Sequence, residues 1–123
     1  MNLKKDSFFV SRLKSVIYAF KGAVYLLKKE SSIRVQFTIA LSLTLLGFYF
    51  NISRTEWMVQ LLCISMVMGI EGLNTALEEM ANFIHPEKNN KIGLIKDIAA
   101  GSVFIVSVFS IIIGLIIYIP KFF

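Results

Sequence analysis

From Ile98 to Pro120 the chain runs for 23 residues, IAAGSVFIVSVFSIIIGLIIYIP, without one charged side chain. About 20 apolar residues in a helix cross the hydrocarbon core of a bilayer, so this run is long enough to span it. The soluble alternative would bury the same run inside a small helical bundle. A chain of 123 residues is too short to surround it with protein. Composition agrees: 56% of the residues are hydrophobic, the mean hydropathy is +0.71, and both values lie outside the ordinary soluble range.

Two further spans are expected. Trp57 to Ile70 is uncharged, and it reaches membrane length if the helix continues through the acidic residues that follow. Val35 to Phe50 (VQFTIALSLTLLGFYF) becomes long enough when Ile33 and Arg34 are included, because an arginine near a helix end extends its guanidinium to the headgroups. The expected fold is therefore an all-α integral membrane protein, one domain over residues 1–123. Its helix before the first span covers about 8–29, and the spans cover about 33–50, 55–82 and 97–119.

Charge gives an expected orientation. Eight basic residues precede the first span (Lys4, Lys5, Arg12, Lys14, Lys21, Lys28, Lys29, Arg34). Only Arg54 lies in the first loop, the second has Lys88, Lys91 and Lys96, and the tail has Lys121. The positive-inside rule then places the N-terminus and second loop in the cytoplasm and the C-terminus outside. The net charge of +5 needs no nucleic acid to explain it. Basic residues on that face suit anionic headgroups or a polyphosphate substrate. The N-terminal stretch is a poor fit to a secretory signal, since no apolar core follows Lys4 and Lys5 before Arg12. Cys63 is the single cysteine and is read as packing, with no disulfide framework or thiolate cluster.

Ahead of the first span, Phe9, Leu13, Val16, Ile17, Phe20, Val24 and Leu27 recur at three- and four-residue steps, with basic and hydroxyl residues between them. This is the pattern of an amphipathic helix lying on the membrane surface, or of one packed against its own bundle. Lys28, Lys29 and Glu30 mark its end. From composition alone a lone Glu30 is more often a salt-bridge partner than a ligand. In the outer loop, NISRTE, Asn51 and Ser53 are turn or capping residues, and Trp57 sits where an interfacial aromatic is expected.

The chemistry concentrates in IEGLNTALEEM, Ile70 to Met80. On a helix Glu71, Asn74 and Glu78 are three and four residues apart and share one face, with the two carboxylates about 10 Å apart along the axis. Glu79 points about 100° away, and Glu87 lies in a loop. Ionisable groups inside a membrane mark a bundle interior, an ion path or a catalytic site near the interface. The blander alternative makes Asn74 interhelical glue and pairs Glu71 with a lysine. Past the loop, Lys96 and Asp97 open the last helix on different faces, and the small residues Ala99 to Ser102 allow a neighbouring helix to come close. His85, beside Pro86, is read as a turn residue, because no second histidine exists for a conventional zinc site. Carboxylates, an amide and lysines at the interface suit a magnesium-dependent reaction with a phosphate donor. No Walker loop or protein-kinase signature occurs. Spacing alone leaves a phosphotransferase, a small membrane transporter and a structural subunit all open.

EGLNTALE (Glu71 to Glu78), followed by KDIAAGS (Lys96 to Ser102) and by a last helix ending IGLIIYIPK, resembles the signature of the small bacterial integral-membrane lipid kinases, the diacylglycerol kinase and undecaprenol kinase family. The resemblance covers nearly the whole chain. It implies a homotrimer in the bacterial inner membrane, with active sites between subunits at the cytoplasmic surface and ATP and a membrane lipid as substrates. Glu71 would be the base that takes the proton of the lipid hydroxyl, and Asn74 would orient the reacting groups. Glu30 and Glu78 would hold Mg2+ on the ATP phosphates, which reverses the composition-only reading of Glu30. Lys96 and Asp97 would contact the nucleotide, and Lys14, Tyr18 and Lys21 would border the nucleotide or headgroup. The TALE form, the AAG run and the PK ending look more like the undecaprenol branch, with diacylglycerol as the alternative acceptor. Arg34 and Gln36 match neither branch, and Asn82 stands where an aspartate is often found.

Overall fold

The computed structural model describes residues 7–123, and Lys4 and Lys5, weighed above for charge, lie outside the described residues. Among the described residues the structure is helical throughout: α1 (Phe8–Lys29), α2 (Ser31–Phe50), α3 (Arg54–Ile84) and α4 (Asn90–Phe122). α2, α3 and α4 are each long and apolar enough to cross a membrane. The chain divides into two units, one ending at Ser31 and the other running from Ser32 to Phe123, and each is described by itself.

In the first unit, the Ser7 side chain caps α1 by accepting from the Val10 amide at 3.3 Å. The helix stops where Glu30 turns extended (φ −103°, ψ 115°), its N–H still bonded to the Leu26 carbonyl. Phe9, Leu13, Val16, Ile17 and Phe20 are all exposed. The Arg12 guanidinium lies 5.2 Å from the Phe8 ring centre, and the Lys21 ammonium 5.6 Å from that of Tyr18.

Local chemistry explains how the spans of the second unit begin and end. Thr38, Ser42 and Thr44 donate their hydroxyls to the carbonyls of Arg34, Thr38 and Ala40, so these groups need no partner from lipid. α2 closes in a Schellman motif. Asn51 adopts φ 51°, its N–H bonds the Phe48 carbonyl, and the Ile52 N–H reaches the Gly47 carbonyl. Ser53 and Glu56 then form a capping box at the start of α3, which bears out the turn and capping roles expected of Asn51 and Ser53. Asn89 caps α4 by accepting from the amides of Lys91 and Ile92. The cap starts that helix at Asn90, seven residues before the apolar run suggests. His85 caps the end of α3, its Nδ1 2.9 Å from the Glu87 carbonyl, as a turn residue should.

The packed core sits at the Asn51 end of the spans. Ile52, Ile117 and Tyr118 are buried there against Leu43, Leu46, Phe50, Trp57 and Ile113. The Trp57 ring lies directly over Gly47, and a Cβ added at Gly47 would stand 2.7 Å from it. Beside it three spans meet in one clasp. Tyr118 donates its hydroxyl to Gln60 Oε1 at 2.5 Å and to the Leu43 carbonyl at 3.2 Å, and Gln60 Nε2 donates to the same carbonyl at 3.2 Å. Lys121 of α4 pairs with Glu56 of α3 at 3.3 Å at the same end. In the small-residue stretch from Ala99 to Ser102, Ala99 is buried, while a Cβ at Gly101 would meet nothing within 4 Å among the described residues.

Most large apolar side chains of the spans face outward, including Phe48, Leu62, Phe104, Phe109 and Ile116. In water that surface would drive aggregation; in a bilayer it is the expected exterior.

Candidate functional site

The functional end of the second unit is set by helix length. α3 has 31 residues and α4 has 33, which correspond to about 46 and 50 Å, well beyond a hydrocarbon core of about 30 Å. Glu71 lies fifteen residues, about 22 Å, along α3 from Glu56, and Glu78 lies about 33 Å from it. Measured from the Glu56–Lys121 pair, those lengths set Glu71 within a core of about 30 Å and Glu78 beyond it.

The two carboxylates also differ in burial. Glu71 is 8% exposed, and Thr75, one turn on, is 6% exposed. Asn74 is half-buried, and its Nδ2 donates to Glu71 Oε2 at 3.4 Å. Its Oδ1 is buried and has no hydrogen-bond partner. The amide thus holds one edge of the carboxylate and turns a free acceptor to whatever binds beside it. Glu78 is exposed, as is Glu79.

Lys96, half-buried near the start of α4, donates to Asn82 Oδ1 at 2.6 Å and ties α4 to the last turns of α3. Asp97 is exposed. In the first unit Lys14, Tyr18 and Lys21 share one face of α1, where Lys21 rests on the Tyr18 ring, and Glu30 is half-buried at the C-cap. The structure therefore joins Glu71 to Asn74, Lys96 to Asn82 and Lys21 to Tyr18.

The donor set can be tested against a divalent cation. No group of three His, Cys, Asp or Glu side chains able to hold a metal occurs among the described residues. Mg2+ does not need one, because it is usually held by one or two carboxylates, substrate phosphates and waters. An exposed carboxylate on the same stripe as an orphaned amide oxygen fits that requirement, and it would not fit a dedicated all-protein metal cage.

Four polar positions escaped the sequence reading of the site. Thr75 is buried next to Asn74. Gln60 and Tyr118 form the clasp at the other end. Gln36, noted only as a departure, has a buried Oε1 with no partner. The available signal was the same for Gln36 and Gln60: an amide in an otherwise apolar span is costly and needs a reason.

Comparison with known proteins supplies the family. Residues 17–118 match the family model described as prokaryotic diacylglycerol kinase. The chain belongs to that family. It is similar to the undecaprenol kinase of Bacillus subtilis (strain 168), with 33% identity over 108 residues that cover 88% of each chain. It is also similar to the diacylglycerol kinase of Haemophilus influenzae, with 29% identity over 93 residues, 76% of this chain and 79% of the relative. The chain is thus a multi-pass membrane protein of a lipid kinase family, with ATP as the phosphate donor that a kinase implies. Membership rules in favour of the phosphotransferase among the three readings that spacing left open.

Proposed function

We propose that the protein phosphorylates the primary hydroxyl of undecaprenol from ATP, giving undecaprenyl phosphate. The observation that carries the chemistry is Glu71, a carboxylate buried within a membrane-spanning helix bundle and held on one oxygen by Asn74. Preference for the polyprenol rests on the wider and stronger similarity to the undecaprenol kinase. Diacylglycerol, giving phosphatidic acid, is the second reading, supported by the family description and the Haemophilus relative.

In this reading the lipid alcohol lies against the free edge of Glu71. The alcohol oxygen attacks the γ-phosphorus, the bond to the β-phosphate oxygen breaks, and ADP leaves. Glu71 takes the hydroxyl proton. Asn74 keeps the carboxylate from rotating away, and its unpartnered Oδ1 accepts from a group of the bound substrates. Glu30 and Glu78 would hold Mg2+, which supplies neutralisation of the crowded phosphate oxygens. Lys96 and Asp97 contact the nucleotide, with Lys14, Tyr18 and Lys21 along its border. In the same reading the working enzyme is a homotrimer with sites between subunits, as the resemblance to the family implies. Its N-terminus and second loop are cytoplasmic, where ATP is, and its C-terminus is outside.

The test is a side-by-side assay of the purified protein in detergent micelles with undecaprenol and with diacylglycerol, each product identified by mass. Faster, Mg2+-dependent formation of undecaprenyl phosphate is expected. A higher rate on diacylglycerol would transfer the assignment to the second reading. Ion or solute flux into liposomes with no lipid product would point to a transporter instead.

A further inference from the structure

A hydroxyl inside a membrane can settle its donor on its own helix, and several here do. Thr38, Ser42, Thr44 and Ser102 donate to the carbonyl four residues back, and Ser65 to the one three residues back. Among the described residues two hydroxyl side chains are buried, those of Tyr118 and Thr75. Tyr118 is paired with Gln60 and the Leu43 carbonyl. Thr75 is 6% exposed, and its hydroxyl forms no hydrogen bond among the described residues. Its neighbours do not offer one. The antiparallel register of α3 and α4, fixed by Lys96 on Asn82 and by Tyr118 on Gln60, sets Thr75 level with Val103, which has no side-chain acceptor. Glu71, one turn back on the same stripe, accepts from Asn74 and not from Thr75.

A buried hydroxyl without a partner lowers stability, and a valine would fill the same shape without that cost. What recovers the cost is set by position. Thr75 lies one turn beyond Glu71 and one turn short of Glu78, between the carboxylate assigned to the lipid alcohol and the one assigned to the nucleotide. Glu71 and the unpartnered Oδ1 of Asn74 make that part of the stripe rich in acceptors. The Thr75 hydroxyl is an uncommitted donor among them. Phosphoryl oxygens only accept, and the charge of the transferring group is spread over them. The alcohol oxygen is the poorer recipient, because a donor on it withdraws the electron density that attack requires. We propose that Thr75 is a further catalytic residue, whose hydroxyl donates to an oxygen of the γ-phosphoryl group while the alcohol attacks and Glu71 takes its proton. This rests on the phosphotransfer reading of the site and adds to it a donor held by burial before the reaction begins.

The test compares Thr75→Val, which keeps the shape and removes the hydroxyl, with Thr75→Ser, which keeps the hydroxyl. The full chain is assayed in detergent micelles with undecaprenol and with diacylglycerol. The donors are ATP and adenosine 5′-(γ-thio)triphosphate, whose terminal sulfur is a weak acceptor. T75V is expected to lower kcat with ATP by about 10- to 100-fold, the scale of one hydrogen bond to a charged group, with KM for ATP and for the lipid unchanged. Its unfolding midpoint should equal or exceed that of the unsubstituted protein, because no bond within the chain is lost. T75S should restore most of kcat. With the thio donor the loss on T75V should shrink severalfold. T75V turning over at the full rate would overturn the proposal. So would a fall in kcat that comes with a lower midpoint and is not restored by serine, since Thr75 would then be a packing residue. Equal losses with the two donors would take the hydroxyl off the phosphoryl group and overturn the assigned contact. Each of these leaves the kinase reading standing, because the unsubstituted protein still makes a lipid phosphate. No lipid phosphate from the unsubstituted protein on either acceptor would remove that reading, and the proposal with it.

Discussion

Replacing Glu71 by glutamine isolates the chemistry of the carboxylate from its structural part. The side chain is 8% exposed and accepts a hydrogen bond from the Asn74 amide at 3.4 Å, which the oxygen of a glutamine can accept equally well. A neutral amide is also easier to bury than a carboxylate. Assembly and thermal stability should therefore change by less than about 1 kcal/mol, the scale of one ordinary hydrogen bond. The loss lies in proton acceptance. A positioned general base contributes roughly 10²- to 10⁴-fold, so kcat should fall by that factor, equivalent to about 3 to 5 kcal/mol in the barrier. KM for ATP should hold, because the nucleotide contacts are assigned elsewhere. The assay transfers labelled phosphate from ATP to lipid in detergent micelles, with oligomer size checked on the same preparation. A correctly assembled E71Q protein within threefold of the unsubstituted rate would refute the base assignment.

Other consequences follow from single contacts. Gly47→Ala would drive a Cβ to 2.7 Å from Trp57 Cη2 and 3.1 Å from Ile52 Cδ1, and the Trp57 ring is backed by Phe48 at 4.9 Å. Such overpacking should cost about 1 to 3 kcal/mol, read as a lower unfolding midpoint in detergent. Tyr118→Phe removes the donor to both Gln60 and the Leu43 carbonyl, and at about 0.6 to 1.7 kcal/mol per bond in a membrane it should destabilise modestly without lowering kcat. Unchanged stability would mean that the clasp is not formed in the bilayer. Lys96→Met removes a cation now hydrogen-bonded to Asn82 at 2.6 Å. If Lys96 turns to the nucleotide as assigned, KM for ATP should rise roughly tenfold or more, the scale of one charge-assisted bond, while KM for the lipid stays put. An equal rise in both would make it a strut between α3 and α4.

What could be read from the residues alone is what depends on short range. The uncharged run from Ile98 to Pro120 spelled out a span because lipid admits no other composition there. Asn51 and Ser53 were legible because a left-handed turn and a capping box are written within a few residues. The Glu71–Asn74 contact was legible because three residues is one helical turn. The clasp was not, since Gln60 and Tyr118 stand 58 residues apart and meet only once the register of two helices is set. The start of α4 was misplaced because hydropathy marks where hydrocarbon begins, while Asn89 decides where the helix begins.

The periodicity of IEGLNTALEEM placed Glu71 and Glu78 on one stripe and treated them alike; resemblance alone gave them different roles. Depth supplies a physical reason for the difference. Glu71 is buried within the protein, and on the proposed reading it lies at the level of a lipid hydroxyl. The other is exposed two turns further out, the level of a soluble nucleotide. An alcohol anchored by its chain cannot rise to Glu78 without drawing that chain into the headgroups. A triphosphate cannot sink to Glu71 without shedding water from several charges. On the proposed reading the stripe between them is where the two substrates meet at the smallest desolvation cost, and Asn74, with one side on the carboxylate and its Oδ1 unpartnered, lies on that stripe.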